Sequence, residues 1–147
     1  MKVRKWLFSA AMAGLLFTST VNTGQAYPIS GQAIVNLALT HHEPYIYGTT
    51  DCSALTQKVY HRFGIPLPRT SRSQSATGRP VSKSHLKKGD LVFFATSKKG
   101  KINHVGIYAG SGKMVDAEYS GIRKTGIFVG ASSHYWKSKF VKARRVI

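Results

Sequence analysis

Cys52 is the only cysteine of the chain. Its thiol therefore has no internal disulfide partner, and it is a dimer bridge, an inert core residue or a nucleophile. The surrounding residues favour the nucleophile. Thr50 and Asp51 are helix N-cap types. After them Cys52, Leu55, Val59, Tyr60 and Phe63 recur at helical spacing, as far as the stop signal Gly64. The sulfur then falls in the first turn of an amphipathic helix. There it sits beside unpaired N–H groups and the positive end of the helix dipole, which stabilise a thiolate.

A cysteine nucleophile needs a base and a third group that orients the base. Of the six histidines, His104 is best placed. It opens an alternating strand pattern over residues 104–109, with Val105 and Ile107 on one face and His104, Gly106 and Tyr108 on the other. Gly106 is expected to leave room beside the ring for a sulfur and a substrate carbonyl. Gly110, Ser111 and Gly112 read as a turn and residues 113–118 as the return strand, with Met114, Asp116 and Glu118 on one face. Loop length decides the partner of the histidine. A loop of 109–111 sets Asp116 directly opposite His104, whereas a loop of 110–112 sets Glu118 opposite and Asp116 on the diagonal, still within reach. Either carboxylate can accept the imidazole N–H and fix its tautomer.

The elements that must hold these groups follow from periodicity. Residues 30–40 show a helical stripe (Ala33, Ile34, Leu37, Ala38) with Ser30 as a cap, and Pro44 closes the segment. Residues 65–70 (IPLPRT) are extended, because Pro66 and Pro68 remove donors and bias their neighbours away from helix. Residues 71–82 read as a loop, or a short helix and a loop. Residues 90–95 form a strand entered through a Lys-Gly-Asp turn that Asp90 closes. Weaker strands fit 126–129 and 140–146. Phe93, Phe94, Ile107 and Val115 are expected in the core. Helices followed by a strand meander imply an α+β domain with N-terminal helices packed on an antiparallel sheet.

The first residues read as an address, not as fold. Lys2, Arg4 and Lys5 precede a short apolar run over residues 6–17, and Gly24-Gln25-Ala26 supplies small residues for cleavage, so residues 1–26 are expected to be a secretory signal peptide. The run is shorter than the roughly 18 apolar residues of a spanning segment, so no stable membrane insertion is expected. Residues 27–147 then form a single secreted domain, in the periplasm or the cell wall, and a monomer is expected.

The formal charge is +17, with 22 Lys and Arg against five acids, which implies an anionic partner. No zinc-finger, helix-turn-helix or RNA-binding signature appears, so cell-wall polymers fit better than nucleic acid. Lys83, Lys87, Lys88, Lys98, Lys99 and Lys101 are candidates for a wall-binding face. No ligand spacing supports a metal site, and no cofactor is expected.

The segments PYIYGTTDCSAL, IPLPRTSRSQ, LKKGDLVFF, HVGIYAGSGKMVDA and ARRV occur in the order and spacing of the NlpC / p-sixty family of bacterial cell-wall cysteine peptidases. The likeness runs from about Pro44 to the C-terminus. What this resemblance implies is a compact papain-like fold and hydrolysis of peptidoglycan stem peptides, often at the bond from the γ-carboxyl of D-glutamate to a diamino acid. It implies Cys52 as nucleophile, His104 as base and Asp116 at the third position, where histidine is commoner. It also implies Tyr45 as a partner of the Cys52 N–H in the oxyanion hole, and Asp51, Ser53, Arg69 and Ser71 as substrate-side residues. The chain departs from the family at Ala54, at the shortened loop with Gly48-Thr49, and at Arg69-Thr70-Ser71 in place of Arg-Asp-Ser. The last change removes a counterion for a free N-terminus and points to cutting inside intact stems. Two other readings fit the same residues: a hydrolase of another γ-glutamyl polymer, and a non-catalytic cationic wall-binding module.

Overall fold

The computed structural model describes residues 29–97 and 100–147. The expected signal peptide, together with Lys98 and Lys99, lies outside the described residues. Helix α1 (Gly31–Leu39) starts at Ser30, whose hydroxyl accepts the Ala33 N–H, and it buries Ile34, Val35 and Ala38. Helix α2 (Cys52–His61) starts at Asp51 and buries Cys52, Leu55, Val59 and Tyr60. It ends where Gly64 takes a φ of 74°, a conformation that glycine adopts without a Cβ penalty. The turn α3 (Ser71–Gln74) is capped by Thr70.

Six strands form one antiparallel sheet in the order β1-β6-β2-β3-β4-β5. They are β1 (Arg79–Val81), β2 (Leu91–Phe94), β3 (His104–Gly110), β4 (Lys113–Glu118), β5 (Gly121–Gly126) and β6 (Phe140–Arg145). Helices α1 and α2 cover one face of the sheet, where Leu91, Phe93, Val105, Ile107 and Val115 meet Ile34, Leu55, Val59 and Tyr60. Each such side chain contributes roughly 1.5–3 kcal/mol on burial. The Tyr60 hydroxyl also donates to the Gly89 carbonyl, which fixes α2 to the turn entering β2. On the other face Val92, Phe94, Met114, Ile127 and Ala143 pack under Trp136 of helix α4 (Ser133–Lys139). The arrangement is α+β, with Phe93, Phe94, Ile107 and Val115 all fully buried as expected.

Three expectations need correction. The strand placed at 126–129 is instead β5, which pairs Asp116 with Arg123 and Met114 with Thr125. After it the chain turns back, and the Ile127 and Phe128 N–H groups both donate to the Gly112 carbonyl. β1 emerges from the segment read as loop. Pro80 is tolerated there because β1 is an edge strand that pairs only with β6. The β3–β4 turn is tighter than either loop considered, since Ser111 and Gly112 both take positive φ. A register shift between Tyr108 and Gly110 absorbs the difference, so that Ile107 faces Val115 and Tyr108 faces Met114. Continued toward His104, this register puts Glu118 across from the histidine and Asp116 on the diagonal, the pairing expected of the 110–112 alternative.

Candidate active site

Cys52 is the first residue of α2 and is only 7% exposed. Its setting is organised by one carboxylate. Asp51 Oδ1 accepts the Ala54 N–H at 3.0 Å and the Ser53 hydroxyl at 2.9 Å, and Asp51 Oδ2 accepts the Gly48 N–H at 2.9 Å. Arg69 grips both oxygens, at 3.1 and 2.9 Å, and donates to the Ser53 hydroxyl at 2.9 Å. Burial opposes the charge on Asp51, but the Arg69 guanidinium and the three other donors outweigh it and hold the carboxyl well below the usual carboxylate range. Asp51 thus caps the helix and fixes the loop before it. The same loop is closed by Thr50, whose hydroxyl accepts the Ile46 N–H and donates to the Pro44 carbonyl. The backbone just before Arg69 is tied to α2 by Gln74, whose amide donates to the carbonyls of Ser53 and Pro68 at 3.0 and 2.8 Å.

His104 opens β3, paired with Phe94 of β2. Its Nε2 lies 3.0 Å from Asp116 Oδ2. The diagonal carboxylate is therefore the partner, and Glu118 instead pairs with Arg123. Burial disfavours the imidazolium, yet the hydrogen bonds to Asp116 and Cys52 and their negative charges prevail, and the ring is raised to about 10. With Nε2 engaged by the carboxylate, Nδ1 is the nitrogen left for the thiol. The arrangement can hold a thiolate against an imidazolium and later deliver that proton.

These groups open on a cleft of about 940 Å³. Tyr45, Asp51, Cys52, Ser53, Arg69, Ser71 and His104 all line it, so the residues singled out in the sequence converge, with Asp116 buried behind the ring. Tyr45 is half-buried and packs against Tyr119, with ring centroids 4.7 Å apart and the planes tilted by 53°. Burial first, and then the neighbouring Cys52, raise its pKa, so its hydroxyl stays a donor at neutral pH. Gly106 does not do what was expected of it. A Cβ there would meet Met114 Sδ at 2.6 Å, so the missing side chain makes room for the core and not for substrate. Trp136 was missed altogether. Its ring lies 4.9 Å from that of His104 at an angle of 33°, and it also packs edge-on against Phe94 at 4.9 Å. The only local signal for it was the adjacent aromatic pair Tyr135-Trp136 near the C-terminus. Among the described residues, no group of three or more His, Cys, Asp or Glu side chains is arranged to hold a metal ion.

Comparison with known proteins finds relatives in both sequence and fold. The model of the NlpC/P60 family matches residues 42–145. The chain is 40% identical over 109 residues to gamma-DL-glutamyl hydrolase of Bacillus subtilis, covering 69% of this chain and 26% of that protein. It is 38% identical over 99 residues to murein DD-endopeptidase MepS/murein LD-carboxypeptidase of Escherichia coli, covering 66% of this chain and 50% of the other. The chain thus spans half or less of the length of these curated relatives. An NlpC/P60 family protein of known structure from Bacillus cereus superposes with a TM-score of 0.70 at 31% identity, over 80% of this chain and 40% of that one. The papain-like α+β fold, a thiol at a helix head facing a strand-borne imidazole, and a match over most of the described residues lead to one assignment: this chain belongs to the NlpC/P60 family.

Proposed function

We propose that the protein is a secreted cysteine endopeptidase that hydrolyses peptide bonds in peptidoglycan stem peptides, at a D-γ-glutamyl–diamino acid bond. The observation that carries this reading is the His104 Nε2–Asp116 Oδ2 contact of 3.0 Å, with the ring opening on the same cleft as the Cys52 thiol. The Cys52 thiolate attacks the scissile carbonyl and forms a C–S bond. The Tyr45 hydroxyl and the Cys52 N–H, which has no carbonyl to bond in the first turn of a helix, receive the oxyanion. His104 protonates the leaving amine as the C–N bond breaks. It then takes a proton from water, whose oxygen displaces the sulfur and releases the new carboxylate. Asp116 keeps the ring oriented through both steps, and Ser53, Arg69 and Ser71 form the substrate side of the cleft.

Relatives named as a murein endopeptidase and as a bifunctional muramidase/DL-endopeptidase support this substrate class. Digestion of purified sacculi by the full chain, followed by mass spectrometry of the fragments, tests it. New termini at the γ-glutamyl bond are expected with the wild type and none with Cys52→Ala. Equal cleavage by both would sink the mechanism. A second reading, hydrolysis of a free γ-glutamyl polymer, is favoured by the 40% identity to a protein of that name. It predicts release of oligomers from poly-γ-glutamate at a rate above that on stems. Export in the wake of residues 1–26, and attraction of the cationic surface to anionic wall polymers, belong to the same proposal.

A further inference from the structure

Among the described residues, three Tyr, Phe or Trp side chains are exposed, and all three line the active cleft. Tyr47 is 84% exposed, Tyr119 89% and Tyr135 49%. They come from separate parts of the chain: the turn before α2, the β4–β5 connection and α4. Exposed aromatic rings gathered along one cleft mark a contact site, and tyrosine offers a flat apolar face with a polar tip.

The charge of the cleft narrows the ligand. The described lining carries Arg69 and Arg72 against Asp51 and Glu118. Arg69 is already committed to Asp51, and Glu118 to Arg123. In a chain of net charge +17 this cleft is close to neutral. A polymer bearing a carboxylate on every residue calls for a row of unpaired cations, and among the described residues of the lining Arg72 is the one arginine without an acidic partner. A neutral sugar calls for flat apolar surface and hydroxyl partners, which phenols supply together. The volume of about 940 Å³ lies at the upper end of ordinary ligand clefts, roughly 300–1,000 Å³, leaving space beyond the scissile peptide.

We infer that the tyrosine rim is a sugar subsite. It takes an N-acetylhexosamine unit of the glycan to which the stem peptide is attached, with the pyranose C–H face on a phenol ring. The protein therefore selects glycan-linked stems over free peptides and over γ-glutamyl polymers. This inference rests on the peptidoglycan reading above.

The test compares kcat/KM on a sugar-linked stem peptide and on the same peptide freed of its sugar, with poly-γ-glutamate as a third substrate. The wild type is expected to prefer the sugar-linked form. Tyr47→Ala lowers that preference about three- to tenfold, the size of one lost aromatic stack, and Tyr47→Phe keeps most of it. Equal wild-type rates on the two peptides, a Tyr47→Ala loss of the same size on both, or fastest turnover of poly-γ-glutamate would each overturn the inference. If neither peptide is cut, the proposed function fails and the subsite is judged separately. Saturable binding of N-acetylglucosamine oligosaccharides to the Cys52→Ala protein by calorimetry, weakened by Tyr47→Ala, then upholds the subsite. Absence of such binding rejects it.

Discussion

Two carboxylates of this protein are fully buried in or beside the sheet, and both face a cation, yet they are built differently. Asp90 is saturated. Its oxygens receive the Lys87 N–H at 2.7 Å and two bonds from Arg145 at 2.6 and 2.7 Å. Asp116 receives His104 on Oδ2 and has no partner on Oδ1 among the described residues. The counterions differ in kind. Arginine keeps its charge at any accessible pH, whereas imidazole can give its proton away. The first pair can only fix geometry, here the end of β6 against the start of β2. The second fixes geometry while leaving one proton free to move, and that proton is the one a thiol needs removed.

Asp90→Ala should break the comparison most visibly. It leaves Arg145, whose side chain is only 10% exposed, with the His85 carbonyl as its one remaining partner, which costs about 3–5 kcal/mol, and a fall in the urea midpoint with an unchanged slope would report it. An unchanged midpoint would show that the clamp is dispensable.

Asp116→Asn should act first on the chemistry: kcat/KM falls by about a hundredfold, and stability falls only below about pH 10, where the carboxylate favours the wild-type imidazolium. Loss of the carboxylate also removes a charge that holds the ring near 10, so the alkaline limb of the activity profile should move to lower pH.

The same shift makes a stability prediction. A histidine whose pKa rises on folding stabilises the fold fully below its unfolded value of about 6.5 and loses that contribution as pH rises through about 10. Wild-type stability should decline across that window, more steeply than that of Asp116→Asn. Parallel curves by chemical denaturation would refute the assignment. The smallest effect is expected from Trp136→Phe, which trims the ring stacked on His104. A rate loss of about three- to tenfold, with stability nearly kept, fits one weakened aromatic contact.

Much of this was readable from residue types because it is locally encoded. Asp51, Cys52 and Gly64 announce the start, the content and the end of α2 within one stretch. The alternation around His104 and Asp116 identifies a hairpin without any knowledge of the rest of the fold. What escaped depends on partners far along the chain. β5 carries the exposed Arg123 and Lys124 and so lacks a clear apolar alternation; it is a strand because β4 lies beside it. Trp136 reaches the site only because α4 folds over the far face of the sheet. The role of Gly106 was misjudged for the same reason, since the position of Met114 depends on the hairpin register. That register could not be settled while a bulge and a longer loop were indistinguishable.

The many bonds of Asp51 have a consequence for how such a groove can vary. A single anionic latch joins the preceding loop, the nucleophile's own turn and the arginine on the opposite bank. Insertions or deletions between Ile46 and Thr50 are therefore compatible with a working thiol only when they still bring a backbone donor back to that latch. Pulling on Arg69 from the groove would be transmitted to the sulfur's turn through one side chain. Grafted loops that miss this anchor should loosen both banks together.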